Sequence, residues 1–231
     1  MSETGVMKEP IMAKTMETTR DYYKILQLGQ SGKGKTYSFR NMNPDTTGFI
    51  NVENKPLPFK NKFKFHTRCT TYADAFNALI EYAKNSEIKT IVFDSFSAYV
   101  ELLLADCRKR YKGFDIWNAY NEEIGKLLFM IKRVPKEVFI TGHYEILGIE
   151  GAQEKRCRVK GKEWEGLIEK EFTVVMYAEQ KFNDKGKPDY TFDLVQERSS
   201  SKCPPAIFGE ETYNITNDSQ QIYDKIIEFV S

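Results

Sequence analysis

Tyr23-Lys24-Ile25-Leu26-Gln27-Leu28-Gly29-Gln30-Ser31-Gly32-Lys33-Gly34-Lys35-Thr36 is the stretch that decides the fold. Its first six residues read as a buried strand, and the glycine-rich turn leads into a helix expected to start near Lys35. From Gly29 to Thr36 every fixed position of G-x-x-x-x-G-K-[ST] is met, in the strand–turn–helix setting that this spacing requires. The glycines let backbone N–H groups turn inward without Cβ clashes, and a helix N-terminus adds partial positive charge. Gly29, Gln30, Ser31, Gly32, Lys33, Gly34, Lys35, Thr36 and the following Tyr37 are therefore expected to cradle the phosphates of ATP. Lys35 would reach the β- and γ-phosphates, and the Thr36 hydroxyl would ligate Mg²⁺.

Outward from the loop, strands and helices alternate. Gly48–Val52 and Lys62–His66 read as strands, and Thr71–Asn85 has apolar residues at helical spacing. Thr90-Ile91-Val92-Phe93 and Glu137-Val138-Phe139-Ile140-Thr141 are near-continuous apolar runs, the pattern of strands buried on both faces. A helix over Ile116–Arg133 lies between them. Phe172–Ala178 and Tyr190–Gln196 read as strands around the turn Asn183-Asp184-Lys185-Gly186-Lys187, and Ser219–Val230 as a terminal helix. The expected fold is α/β, a mostly parallel sheet flanked by helices with an antiparallel C-terminal extension. Residues 1–20 read as an N-terminal arm or tail with one apolar patch, Ile11-Met12-Ala13, and residues 21–231 as a single domain.

A phosphate loop also needs acids at neighbouring strand ends. Asp94 closes the Thr90–Phe93 run and would hold the metal opposite Thr36; capping the next helix is its plainer use. Glu53 follows Phe49-Ile50-Asn51-Val52 and can deprotonate an attacking water. His143 ends the Val138–Thr141 strand, where it can bond the γ-phosphate. Glu53, Lys35 and His143 are the candidate catalytic set; on spacing alone, a loop glutamate and a satisfied strand-end histidine describe Glu53 and His143 equally well.

Composition narrows the setting. The 231 residues carry a formal charge of +1, so any nucleic acid must be met by local basic patches rather than a global field. The four cysteines form no CxxC pair and there are only two histidines, which leaves no basis for a structural metal. No apolar run reaches the length of a membrane span, and a cytoplasmic protein is expected.

Together these pieces resemble the RecA-like branch of P-loop ATPases, in particular the short, core-only forms carried by bacteriophages for single-strand annealing or recombination. The resemblance is carried by Gly29–Thr36, Phe49–Glu53, Phe93-Asp94-Ser95 and Ile140-Thr141-Gly142-His143, in that order, with Phe114–Asn121 resembling a helix opening of the phage forms. It implies that Glu53 is the catalytic base and that His143 links phosphate state to a nucleic-acid loop. It also implies a ring or filament of identical subunits acting on single-stranded DNA in recombination, annealing or repair, in the host cytoplasm if phage-encoded, with a single-strand binding protein as a possible partner.

Two basic segments lie where RecA-like proteins place DNA-facing loops. The first holds Arg108, Lys109, Arg110 and Lys112 beside Tyr111; the second holds Lys155, Arg156, Arg158 and Lys160 ahead of Trp164. Such mixtures neutralise phosphates while aromatic rings stack on bases. Arg198 and Lys202, after the last long strand, are candidates for a cation reaching into a neighbour's ATP site, Lys202 being placed more freely in its loop. A P-loop small-molecule kinase and a regulatory or helicase-loading NTPase switch are the alternative functions.

Overall fold

The computed structural model describes residues 20–150 and 152–231. The arm read over residues 1–20, with its Ile11–Ala13 patch, lies outside the described residues except for Arg20. Chain order is β1 (Lys24–Leu28), a 3-10 turn (Thr36–Asn41), β2 (Thr47–Asn51), β3 (Phe65–Arg68), α1 (Tyr72–Lys84), β4 (Thr90–Asp94), α2 (Phe96–Arg110) and α3 (Asp115–Arg133). There follow β5 (Glu137–Gly142), β6 (Tyr144–Leu147), β7 (Glu154–Cys157), β8 (Val174–Phe182), β9 (Pro188–Asp193), α4 (Pro205–Phe208), β10 (Asn214–Thr216) and α5 (Ser219–Val230).

The main sheet runs β10-β9-β8-β1-β5-β4-β2-β3. From β8 to β3 all neighbours pair in parallel, while β9 and β10 add antiparallel at one edge. β1 is therefore central, and β4 stands one strand away from it, across β5. The alternation of β1 splits the core. Leu26 and Leu28 face the layer of α1, α2 and α3, while Ile25 faces the layer of the 3-10 turn, α4 and α5. β6 and β7 form a separate antiparallel hairpin after β5.

The expected mostly parallel sheet with an antiparallel C-terminal extension is the fold found. Individual elements differ. Lys62–His66 is replaced by the later β3, whose register against β2 begins at Phe65. Beyond the glycine loop there is no full α-helix, only the 3-10 turn. α5 takes the space: Ser219 Oγ meets Ser38 Oγ at 2.7 Å and accepts from Gln27 Nε2 at 2.9 Å, tying strand, turn and terminal helix together in a buried polar knot. α2 is an addition to the elements read from sequence, and Ser95, not Asp94, caps it, its Oγ accepting from Ala98 N.

Candidate nucleotide site

The glycine loop leaves β1 at the carboxyl edge of the sheet, where open α/β folds bind ligands. Gly29 N donates to Gly142 O at 3.1 Å and Gln30 Nε2 to Tyr144 O at 3.0 Å, so the loop leans on the end of β5 and the start of β6. Gly32 and Gly34 take φ of 78° and 87°, a region open to glycine and strained for other residues.

Lys35 is 8% exposed and its Nζ donates to Gly29 O at 2.7 Å and Gln30 O at 2.9 Å, inside the loop it belongs to. Burial pulls its pKa down to about 8 against the upward pull of Asp94 and Glu53. The Thr36 hydroxyl donates to Asp94 Oδ2 at 2.8 Å. Asp94 is almost wholly buried, and Thr141 Oγ1 donates to its other oxygen. Burial pushes the Asp94 carboxyl up, opposed by those two hydroxyl bonds. A hydroxyl and a carboxylate side by side are the hard oxygen donors that Mg²⁺ takes, with phosphates and waters completing its shell. No cluster of three or more His, Cys, Asp or Glu side chains suits a protein-only cage among the described residues. The donor set thus fits a Mg²⁺ that arrives with a nucleotide, where it would supply charge neutralisation at the phosphates.

Glu53 is pinned to the same corner: Val52 N and Glu53 N both point at Asp94 O, at 2.7 and 3.4 Å. Its carboxylate accepts from Lys55 Nζ at 2.8 Å and Ser95 Oγ at 3.4 Å. Burial raises its pKa, but the Lys55 bond and charge, His143 and Ser95 together hold it below the usual carboxylate range. The half-buried His143 follows β5 with its backbone N donating to Ser97 Oγ at 2.8 Å. Burial first, then the charge of Lys35, lowers its pKa, so the ring is neutral at pH 7. Lys35, Thr36, Asp94, Glu53 and His143 are therefore gathered from the loop, β4, β2 and β5 at one sheet edge. Ser31 and Gly32 form the exposed crest of the loop, and Lys33 lies 3.8 Å from Glu179.

Several residues of this corner escaped the sequence reading. Thr141 holds Asp94, Ser95 and Ser97 hold Glu53 and the backbone of His143, and Glu179 lies between Lys33 and Lys155. Ser95 and Thr141 stand inside the strand-end motifs without a role assigned from sequence, while Ser97 and Glu179 belong to no motif and are marked only by their place in the fold.

The two basic segments behave differently. Arg108 and Lys109 are exposed at the end of α2, while Arg110 is held by Asp106 at 2.5 Å and by Tyr72. Lys112 is exposed in the loop to α3, beside Phe114, which is 87% exposed. In the second segment Lys155 pairs with Glu179 at 3.4 Å, Arg156 with Glu154, and Arg158 with Glu101 at 3.0 Å. Lys160 has no ion pair among the described residues; its backbone N donates to Tyr120 Oη, and Gly161 packs on Trp117. The Lys112 and Lys160 loops thus flank one end of α3. Arg198 and Lys202 are exposed, on a segment fastened by Lys155 N to Arg198 O and by a reciprocal pair of bonds between Lys202 and Val175. The expected greater freedom of Lys202 is not found, because that bond pair pins its backbone.

A central parallel sheet, a glycine loop after its middle strand and an acid one strand away define a P-loop ATPase of RecA-like fold. The AAA domain family matches residues 21–218, and the chain belongs to it. Among solved structures the chain is similar to a KaiC-like protein from the hyperthermophilic archaeon Pyrococcus horikoshii OT3. The two are 12% identical over 74% of this chain and 76% of that one, with a TM-score of 0.45. No curated protein matches.

Proposed function

We propose that the chain hydrolyses ATP with Mg²⁺ and does so on single-stranded DNA, in recombination, annealing or repair, as an oligomer of RecA-like subunits. The observation that carries the hydrolytic part is the corner at which Thr36 bonds Asp94 while Glu53 is tied to the Asp94 carbonyl. In this reading Lys35 releases the two loop carbonyls and takes the β- and γ-phosphates. Thr36 and Asp94 hold the metal. Glu53, ionised at neutral pH and restrained by Lys55, orients and deprotonates the attacking water. Neutral His143 donates toward the γ-phosphate and passes its loss to the β6–β7 hairpin that follows it.

The DNA part is supported by the loops of exposed Lys112 and half-buried Lys160 around α3, which combine cations without an ion pair among the described residues with Tyr111, Phe114 and Trp117. Arg198 or Lys202 would complete a neighbour's ATP site. The test is phosphate release with and without single-stranded DNA. Stimulation by DNA supports the reading; turnover that responds instead to a small-molecule acceptor would make the chain a kinase, and nucleotide-dependent assembly with no stimulation would make it a switch.

A further inference from the structure

We propose that Asn217, with the rings of Tyr37 and Tyr190, is the nucleobase subsite of this chain and selects adenine. The inference rests on the nucleotide reading of the Gly29–Thr36 loop and starts from direction. Asp94 and Glu53 lie at β4 and β2, beyond β5 on one side of β1. A triphosphate whose terminal phosphate faces those acids sends its nucleoside the other way, toward β8, β9 and β10.

On that side the loop meets a built surface. A Cβ at Gly34 would come within 2.8 Å of Tyr190 Cδ1 and 3.3 Å of Asn217 Nδ2, so glycine alone admits both neighbours. Tyr37, the first residue after the loop, holds its partly exposed ring 6.2 Å from that of Tyr190 at a 49° tilt, with the Arg40 guanidinium 4.5 Å from its centroid. A cleft of about 390 Å³ opens on Tyr190 between β9, β10 and α5, lined by neither Asn217 nor Tyr37.

The amide supplies selectivity. Asn217 is 1% exposed, and both Nδ2 and Oδ1 lack a partner; no other described side chain leaves two buried polar atoms unpaired. Its backbone is fixed, N donating to Tyr190 O at 3.1 Å and O accepting from Arg40 at 2.6 Å. The buried amide on that fixed backbone offers one donor beside one acceptor. Adenine answers with its N6 donor beside the N7 acceptor, whereas the same edge of guanine presents two acceptors. The half-buried Tyr190 ring, lying across Gly34, turns aside to admit the base and then stacks on it.

The experiment measures equilibrium binding of ATP, GTP and purine-riboside triphosphate, which lacks the N6 amine, with Mg²⁺, to the full chain and to Asn217→Leu. Melting without nucleotide is read alongside. Wild type should favour ATP by about tenfold or more over both others. Asn217→Leu should bring the three within about threefold, while its nucleotide-free melting temperature holds or rises, because leucine has the shape of asparagine without the unpaired atoms. Equal binding of the three by wild type, or discrimination surviving in Asn217→Leu, overturns the proposal. Should that variant not fold, Asn217→Ala is read for the same ratio, and failure of both to fold makes Asn217 structural and overturns it too. Wild type that binds no triphosphate at all refutes the nucleotide reading itself, a result distinct from loss of selectivity.

Discussion

β1 has a buried lysine at each end. Lys24 lies where the strand begins and Lys35 in the loop that leaves it; they are 4% and 8% exposed. Each amine donates to two backbone carbonyls, and burial lowers each pKa from 10.5 to about 8. The partners separate them. Lys24 bonds Val134 O and Lys136 O at 2.8 and 2.7 Å, the entry to β5 and far off in sequence, with Glu137 and Arg20 alongside. Lys35 bonds carbonyls of its own loop. A cation tied to distant backbone closes a fold, whereas one tied to its own glycine-rich loop can exchange those bonds for a phosphate.

The sharpest break between the two is mutational. Lys35→Ala should lower phosphate release by about three decades or more and leave melting unchanged or slightly raised, since a costly buried cation is gone. Lys24→Ala leaves the buried carbonyls of Val134 and Lys136 without that donor and should cost about 2–4 kcal/mol of stability, with ATP affinity kept within a few-fold. Turnover lost in folded Lys24→Ala, or equal stability losses in both variants, would erase the distinction.

Next in size is the proposed base. Glu53→Gln keeps shape and hydrogen-bonding capacity but removes the proton acceptor, so ATP should bind while hydrolysis falls by roughly two to four decades. Normal hydrolysis in Glu53→Gln, with Asp94→Asn inactive, would leave Glu53 a structural partner of Lys55 and Ser95.

The pH response should also divide the lysines. Between about pH 8 and 10.5 the unfolded chain keeps protons that the folded chain has released from Lys24 and Lys35, so both contribute stability that rises with pH across that window. A bound triphosphate returns the proton to Lys35. Binding therefore takes up a proton above about pH 8, and affinity should fall beyond it by at most about tenfold per pH unit. ATP-induced melting shifts from pH 7 to 9.5 measure this. Lys24→Met should remove part of the stability slope and none of the affinity slope; a flat affinity profile in wild type would mean that Lys35 does not meet the anion.

What was legible in the sequence follows the same division between local and distant partners. The Gly29–Thr36 loop, the buried runs of β4 and β5, the Asn183–Lys187 turn and α5 each carry their signal within one segment, and all were readable. α2 was legible in principle, since Phe96, Tyr99, Val100, Leu103, Leu104 and Cys107 keep a helical spacing that its polar residues obscure. The 3-10 turn in place of a helix was not, because Ser38 answers to Ser219, nearly the whole domain away. Asn217 beside Gly34 is equally remote in sequence, Thr141 stands well separated from Asp94, and only the closed sheet brings each pair together.

The smallest expected effect extends the comparison to the surface. Lys155, Arg156 and Arg158 each have a carboxylate partner, on β8, β7 and α2 in turn, and Lys155 also lies 4.8 Å from the centroid of the Tyr144 ring, so these side chains are stitched to the fold much as Lys24 is stitched to β5. Lys112, Lys160 and Lys162 have no ion pair among the described residues and stand free for an incoming phosphate. A paired cation that meets DNA must first give up its carboxylate, so its net gain is small, while a free one releases a counterion for each phosphate neutralised. Replacing Lys112, Lys160 and Lys162 with Ala should lower the salt slope of single-strand binding by about 2, at roughly 0.7 per contact. Replacing Lys155, Arg156 and Arg158 should weaken binding and flatten the slope by less than half as much. The slopes come from log affinity against log salt for a homopolymeric oligonucleotide with ATP present. If the paired set carries the larger slope, the hairpin opens its ion pairs to grip DNA, and pairing in the free protein does not distinguish stitch from site. If neither set moves the slope, the α3 end is not the DNA surface.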